Sequence, residues 1–250
     1  MKPRADPVTQ LHDVVYVVRY AFSSIIVRFN ATTHQRLTDI NVKDFRAPCD
    51  IAACQQTSQL YIPDYAGKCI WRVSADGADI KRWWSSSDTF TPWKLSVTST
   101  RLLVTPPMLN QLMQLDAVGN ELRRVQLPQY MDPRHAAESP IGTFVVSFRT
   151  TDQYQVSEVN TGGEVLRQFS VSRPSSISED QHVAVDSRGN IFVADLANRR
   201  ILLLDVQLKL FLFNIFVFVP HWSCIIVTDI KIQASTVELL ITDGLMPYNH

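Results

Sequence analysis

Three segments of the chain share one pattern at intervals of 42 and 43 residues. In each segment an acidic residue follows a glycine by two positions, an aliphatic residue comes next, and an arginine follows the glycine by five positions. The glycines are Gly77, Gly119 and Gly162. Turns rich in Gly, Asn and Asp supply the residue of positive φ that a tight β-hairpin needs. The pattern therefore predicts a hairpin in each repeat, followed by a strand with one packed and one solvated face.

Each repeat also contains three further short apolar runs in a fixed order. The first runs start at Asp50, Lys94, His135 and His182, the second at Leu60, Leu102, Phe144 and Ile191, and the third at Cys69, Gln111, Tyr154 and Ile201. Four short strands in a unit of about 40 to 45 residues are typical of a propeller blade, whereas helical repeats need amphipathic stretches that this sequence lacks. We therefore predict an all-β fold, a β-propeller of four-stranded antiparallel blades with about five blades present.

The period sets the predicted boundaries. A tail is expected at 1–10, and the blades are expected at 11–44, 45–88, 89–128, 129–172 and 173–205. The last interval between repeats is longer than the others because the Ser/Pro-rich stretch at 170–181 adds to the loop between two blades.

The repeat breaks after the third run of the fifth blade. Residues 206–236 contain the apolar run LKLFLFNIFVFV, where the period predicts a turn near residue 208 and then a fourth strand. We interpret them as an insertion, either foreign to the repeat, as from a retained intron, or a genuine apolar insert packed on the blade edge. Residues 237–250 are then a remnant of the fourth strand and a C-terminal tail. The uninterrupted apolar stretches are shorter than the ~20 residues that span a bilayer, so no membrane segment is expected.

The clearest repeat unit covers residues 182–205. Its sequence HVAVDSRGNIFVADLANRRILLLD resembles the NHL repeat in the V-A-V-D strand, the G-N-I-F-V-A-D segment and the N-R-R-I that follows. A weaker version covers residues 60–73. The motif's residues form turns, one from Asp186 to Asn190 and one after Asp195, whose carboxylate can accept hydrogen bonds from the loop backbone or from an arginine.

The resemblance to NHL proteins also implies a ring of six blades that recruits protein or RNA partners through its loop-bearing faces. A chain with about five blades is then an interrupted six-bladed propeller, or one that closes with five. A non-catalytic interaction scaffold is the function that this resemblance favours, with no cofactor.

The charge balance favours a protein partner over RNA. The chain has 24 Lys plus Arg and 24 Asp plus Glu, whereas binding to phosphates usually needs a basic excess. Aromatic residues and arginine are enriched at binding hot spots. The candidate partner-binding residues are Lys81, Arg82, Trp83, Trp84 and Trp93. The structural alternative for Trp83 is packing between blades, as at the equivalent Val125.

An enzyme is the second interpretation. Six-bladed propellers of related shape include calcium-dependent lactonases and similar hydrolases, whose carboxylate and amide ligands meet at the central channel. The weak candidates for such ligands here are Asp50, Glu138 and Asp186. Gly-x-Ser-x-Gly is absent, and the six histidines lack metal-ligand spacing. His135 and His182 occupy nearly equivalent repeat positions, for which a structural role at the start of a strand is the simpler account.

The cysteines and the N-terminal sequence bear on the compartment. Cys49, Cys54, Cys69 and Cys224 form no CxxC pair and no zinc or RING-type cluster. Buried free thiols in an intracellular protein are the favoured interpretation, ahead of a disulfide. The first residues lack the apolar core of a secretory signal, so a cytoplasmic location is expected.

Overall fold

The computed structural model describes residues 6–19, 24–86, 89–98, 100–150, 154–170, 182–195 and 200–210, together with strands at 215–216, 230–233 and 236–239. Within these ranges the chain is all β, with 22 strands and no helix. No element there could cross a membrane as an apolar helix. Five antiparallel sheets of four strands each form the blades of a β-propeller, which confirms the predicted fold class.

Each blade uses four consecutive strands, from the innermost to the outermost. Blade 1 consists of β1 (Val8–Leu11), β2 (Val14–Val18), β3 (Ile25–Asn30) and β4 (Arg36–Asn41). Blade 2 consists of β5 (Ala52–Cys54), β6 (Gln59–Asp64), β7 (Cys69–Ser74) and β8 (Ile80–Ser85). Blade 3 consists of β9 (Lys94–Val97), β10 (Arg101–Thr105), β11 (Gln111–Asp116) and β12 (Glu121–Gln126). Blade 4 consists of β13 (Asp132–Glu138), β14 (Phe144–Arg149), β15 (Tyr154–Val159) and β16 (Val165–Ser170). Blade 5 consists of β17 (His182–Val185), β18 (Ile191–Asp195), β19 (Arg200–Leu204) and β20 (Ile215–Phe216), and a separate hairpin follows with β21 (Ile230–Gln233) and β22 (Thr236–Leu239).

The structure changes the predicted boundaries at both ends of the repeat. Blade 1 begins with β1 at Val8, inside the segment expected to be a tail. The fourth strand of blade 5 is β20, which pairs with β19 and lies inside the predicted insertion at 206–236. β22 pairs with β21 rather than with blade 5, and β21 begins about one repeat length after β17. The strand predicted from residue 237 onward is therefore part of its own hairpin.

In blade 5 the turn after β19 lies where the period predicts, although it lacks the glycine found in the corresponding turns of blades 2, 3 and 4. The Oδ1 atom of Asp205 accepts hydrogen bonds from the backbone N–H groups of Gln207 and Lys209, at 2.8 and 2.9 Å. Leu208 occupies the left-handed position, with a φ of 58°. Asp116 accepts two equivalent bonds in the corresponding turn of blade 3. The first residue of the turn therefore specifies it, and a leucine occupies the position that is glycine in blades 2, 3 and 4.

The repeated glycines let each blade approach the preceding one. Gly77 has a φ of 79°, and a Cβ atom there would lie 2.7 Å from a side-chain carbon of Ile40 on the outermost strand of blade 1. Gly119 has a φ of 98° and faces Trp83, on the outermost strand of blade 2, in the same way. Glycine is therefore needed at both positions for two reasons: the backbone has a positive φ, and the preceding blade leaves little room for a side chain.

In blade 4 the glycine of positive φ lies one position later than the sequence pattern predicts. Gly163, and not Gly162, has the left-handed φ, at 86°. A Cβ atom on Gly163 would overlap the backbone carbonyl oxygen of Gln126, on the outermost strand of blade 3. The Oδ1 atom of Asn160 accepts hydrogen bonds from the N–H groups of Gly162 and Glu164, which sets this register.

The apolar cores lie between successive blades. Leu60 and Ile62 of blade 2 pack with Tyr16 of blade 1 in one cluster. Three further clusters join blade 2 to 3, blade 3 to 4 and blade 4 to 5. The innermost strands β1, β5, β9, β13 and β17 contact one another in this order. The blades are therefore held together by side chains on their flat faces, and their ends remain available for loops.

Candidate partner-binding face

Pairing in blade 2 brings several chain segments to one end of the blade. The register pairs Pro48 with Asp64, Asp64 with Cys69, and Cys69 with Ser85. The loop before β5, the loop from β6 to β7 and the end of β8 therefore meet there. The other blades have the same strand order, so their corresponding loops lie on the same face of the propeller, which we call the loop face.

A buried carboxylate holds the two loops of blade 2 together. Asp64 is fully buried, and its Oδ1 atom accepts hydrogen bonds from the N–H groups of Ala47 and Gly67, at 2.8 and 2.9 Å. Its Oδ2 atom accepts from the N–H group of Arg46 at 2.9 Å and from Nε1 of Trp71 at 3.3 Å. Asp64 occupies in blade 2 the motif position of Asp195, whose side chain lies outside the described residues. Four donors on one carboxylate fix the shape of the loop face here.

Cationic side chains and a tyrosine lie in the two loops that Asp64 joins and on β8. Lys43, Arg46, Lys68 and Arg82 are exposed, and Tyr65 retains 43% of its surface. We call these five residues the blade-2 patch. The N–H group of Tyr65 donates to the Ala47 carbonyl at 2.9 Å, and the Lys68 carbonyl accepts from Ser86 N–H at 2.9 Å. The patch is therefore continuous across both loops and the end of β8.

Among the predicted partner-binding residues, the tryptophans have structural contacts. The Trp83 ring packs edge-on against Tyr61, with centroids 4.9 Å apart, and faces Gly119 of blade 3. The Trp84 ring contacts Phe90 at 6.1 Å, and both tryptophans are half-buried in the core between blades 2 and 3. The Trp93 ring instead contacts Tyr65, at 5.3 Å and 84°. Only Trp93 of the three is thus tied to the blade-2 patch by a described ring contact.

The two predicted cations point to different ends of β8. Arg82 donates from a terminal nitrogen to the Gly67 carbonyl at 2.8 Å, which places it on the loop face. The Lys81 ammonium lies 3.7 Å from the Asp79 carboxylate, at the turn on the opposite face. Of the predicted partner-binding residues, Arg82 thus lies on the loop face, and the prediction did not include Arg46, Tyr65 and Lys68, which lie on the same face. The polar loop after the strand Leu-Tyr-Ile-Pro-Asp is the signal that could have found Tyr65 and Lys68, whereas Arg46 lies in the loop before β5.

Alanine substitutions should separate the structural aromatic residues from the exposed one. Trp83→Ala removes a large ring from between two blades and should lower the free energy of unfolding by about 3 kcal/mol. Tyr65→Ala removes a half-exposed ring at a loop and should lower it by less than about 1 kcal/mol. Urea denaturation followed by circular dichroism measures both. Equal losses would show that Tyr65 belongs to the core.

A second polar cluster lies at the same end of the innermost strands, at the mouth of the channel. Asp50, Lys94, His135 and His182 come from the equivalent positions of blades 2, 3, 4 and 5. The Lys94 ammonium donates to Nε2 of His182 at 3.1 Å and lies 3.6 Å from the Asp50 carboxylate. The rings of His135 and His182 are 4.7 Å apart. We call these four residues the channel cluster.

Hydrogen bonds fix the protonation of the buried imidazole. Nδ1 of His135 accepts from the N–H group of Val183 at 3.3 Å, so its proton is on Nε2, which faces the Leu95 carbonyl at 3.3 Å. Burial, then the charge of Lys94, lowers the pKa of His135 to about 4. The same causes hold the pKa of His182 well below 6.5, with His135 contributing. The cluster is thus one carboxylate, one cation and two neutral imidazoles, which balance in charge.

The channel cluster predicts acid sensitivity. Both histidines have a pKa near 6.5 in the unfolded chain, so below that pH the unfolded chain binds protons that the folded chain does not. The free energy of unfolding should therefore fall between about pH 6.5 and pH 4, by about 3 kcal/mol for His135 alone. Urea denaturation across this range measures the loss. His135→Gln should flatten the profile, and an unchanged slope in this variant would contradict the assignment.

The carboxylates predicted as possible metal ligands have separate partners. The Glu138 carboxylate accepts from Arg101 at 2.9 Å and from Gln114 at 2.8 Å, at the other end of β13 from the channel cluster. Asp186 accepts from the backbone of its own turn. Among the described residues, no group of three or more His, Cys, Asp and Glu side chains could hold one metal ion.

Comparison with known proteins shows the fold. No protein-family profile matches the chain, and no curated protein sequence matches it. Solved structures do match. Catalytically inactive virginiamycin B lyase from Staphylococcus aureus with quinupristin is 14% identical over 84% of this chain and 70% of that chain, with a TM-score of 0.63. A nidogen/laminin complex is 15% identical over 82% of this chain and 78% of that chain, with a TM-score of 0.60.

A third solved structure widens the range of functions. Hydrazine synthase from Kuenenia stuttgartiensis is 13% identical over 82% of this chain and 77% of that chain, with a TM-score of 0.56. Because all three identities are low, the likeness establishes the β-propeller fold and no shared activity. The chain therefore belongs to a fold class whose members include enzymes and binding proteins.

Proposed function

We propose that this chain is a non-catalytic, NHL-like interaction module that binds a protein partner through the blade-2 patch on its loop face. The observation that carries the proposal is a half-exposed Tyr65 whose backbone is held against Ala47 and whose ring rests on Trp93. Tyrosine and arginine on a rigid support are the residues that most often supply binding energy at protein interfaces.

Rigidity of the patch supports the proposal. Because Asp64 ties the loop before β5 to the loop after β6, Arg46, Tyr65 and Lys68 are attached to backbone that is already ordered. A partner that binds an ordered surface loses less conformational freedom than one that must order the loops. The nidogen/laminin complex gives further support, because it shows a propeller of this fold in a complex with another protein.

A lyase or hydrolase is the second candidate. The observation that favours it is the channel cluster, because two histidines of lowered pKa at a channel mouth are common in active sites. Against it, Lys94 contacts both Asp50 and His182, and His135 contacts backbone on both sides, so the cluster stabilises itself. Hydrolysis of lactones by the purified chain, dependent on His182, would support this candidate.

We propose a cytoplasmic location for the module. Cys49, Cys54 and Cys69 are buried free thiols, as expected of a reducing compartment. Burial raises the pKa of the Cys69 thiol, which keeps it protonated and unreactive.

Site-specific photocross-linking tests the proposed binding face. p-Benzoylphenylalanine replaces Tyr65 in one variant and Ile141, which is 78% exposed in a turn on the opposite face, in the other. Irradiation of cells should give a discrete adduct of one protein with the first variant and not with the second. Absence of an adduct at position 65, or the same adducts from both positions, would contradict the proposal.

A further inference from the structure

We infer that the partner presents an acidic segment to the blade-2 patch, an inference that rests on the proposed function. The chain as a whole is neutral, with 24 basic and 24 acidic residues. The patch nevertheless contains Lys43, Arg46, Lys68 and Arg82, whereas Asp44 is the exposed carboxylate among the described residues of the two loops, 43–47 and 65–68. A local excess of positive charge on a neutral molecule attracts a negatively charged partner to that part of its surface.

The cations of the patch are set on fixed backbone. The N–H group of Arg46 is bonded to Asp64 at 2.9 Å, and Lys68 is held in a left-handed conformation, with a φ of 48° and its N–H group bonded to the Tyr65 carbonyl at 3.3 Å. Arg82 spans from β8 to the Gly67 carbonyl. A guanidinium has five N–H donors, so Arg82 can bond to Gly67 and to a carboxylate together.

The aromatic residues favour an acidic protein segment over a nucleic acid. Binding of single strands uses aromatic faces on which bases stack, along a continuous basic groove. Here Trp83 and Trp84 are half-buried in the core between blades 2 and 3, and Trp93 is in edge contact with Tyr65. Tyr65 thus offers a single half-exposed ring, which suits one apolar side chain of a peptide flanked by carboxylates.

Fluorescence anisotropy with defined probes tests this inference on the full chain. The probes are a labelled acidic peptide, EEDYEDLEE, its lysine counterpart, KKNYKNLKK, and labelled oligouridylate. The test variant is Arg46→Glu with Lys68→Glu, and the matched control is Arg123→Glu with Arg188→Glu, which changes the net charge equally at exposed positions of other blades. Circular dichroism shows whether each variant is folded.

The expected result is binding of the acidic peptide, weakened about tenfold or more in the test variant and unchanged in the control. The affinity should also fall as the salt concentration rises. Equal weakening in both variants, or no binding of the acidic peptide, would overturn the inference. Tighter binding of oligouridylate than of the acidic peptide, lost in the test variant, would replace it with a nucleic-acid surface.

Cross-linking at position 65 separates this inference from the proposed function. If the adduct at position 65 forms equally in the background of Arg46→Glu with Lys68→Glu, partner binding stands and the acidic character of the partner is refuted. If the adduct is absent in the wild-type background, the proposed function itself fails, whatever the acidic peptide does.

Discussion

Replacing Gly163 by alanine is expected to lower the free energy of unfolding by about 4 kcal/mol, close to the whole stability of a marginal domain. The residue has a φ of 86°, where an added Cβ is unfavourable by roughly 1 to 2 kcal/mol. The added Cβ would also overlap the carbonyl oxygen of Gln126. Because the position of a Cβ is fixed by its own backbone and the oxygen is a backbone atom, the overlap is relieved only by moving blade 4 away from blade 3.

Two other glycines of blade 4 serve as controls. Gly142 has a similar φ of 82° and no atom within 4 Å of an added Cβ, so Gly142→Ala reports the backbone effect alone, roughly 1 to 2 kcal/mol. Gly162→Ala adds a Cβ 3.3 Å from an Asn160 side-chain oxygen, at a position without positive φ, and should have the smallest effect. Urea denaturation of the three variants measures the order. A Gly163→Ala loss no larger than that of Gly142→Ala would contradict the described contact between the blades.

Asp64→Asn should lower the free energy of unfolding by about 3 kcal/mol and should weaken partner binding as well. The carboxylate accepts two hydrogen bonds on each oxygen, from donors in both loops and from Trp71. An amide has one oxygen, so its NH₂ group would face two of these donors in a fully buried site. The loops that carry Arg46, Tyr65 and Lys68 would then lose their common anchor.

Asp116→Asn is the matched control for Asp64→Asn. Its Oδ1 atom accepts from the N–H groups of Val118 and Asn120, at 2.9 and 2.8 Å, and its Oδ2 atom makes only an exposed bond, from Nδ2 of Asn120 at 3.0 Å. The Oδ1 atom of Asn160 makes the same two backbone contacts in blade 4, which shows that an amide can form this turn. The control should lose less than about 1 kcal/mol. Equal losses in both variants, or an unchanged adduct at position 65 in Asp64→Asn, would show that Asp64 does not organise the loop face.

The sequence was sufficient for the fold because one blade repeats another. The glycine turns and the alternating strands recur at a fixed interval, and a feature that recurs in several units is evident without a structure. The turn at Asp205 falls where the period predicts, but the glycine pattern does not mark it, because Leu208 stands where blades 2, 3 and 4 have glycine. Asp or Asn at the first position of the turn was the better marker, since its side chain bonds to the turn backbone.

The candidate site was much less accessible to sequence reasoning. The tryptophans were conspicuous, but whether an aromatic ring faces the core or the solvent depends on the neighbouring blade, as Gly119 shows for Trp83. Lys94 reaches past the adjacent blade to His182, a contact over 88 residues that no local pattern encodes. The equivalent repeat positions of Asp50, Lys94, His135 and His182 were visible, yet their mutual contacts depend on how the blades surround the channel.

Hydrogen–deuterium exchange on the complex with the cross-linked partner tests the central claim most directly. Amide exchange is compared for the chain alone and with the purified partner. Binding should slow exchange in residues 43–47 and 65–68 and at the end of β8, and should leave the opposite turn at 139–143 unchanged. Protection confined to the turns of the opposite face, or absent from both loops of blade 2, would contradict the assignment of the loop face as the partner-binding surface.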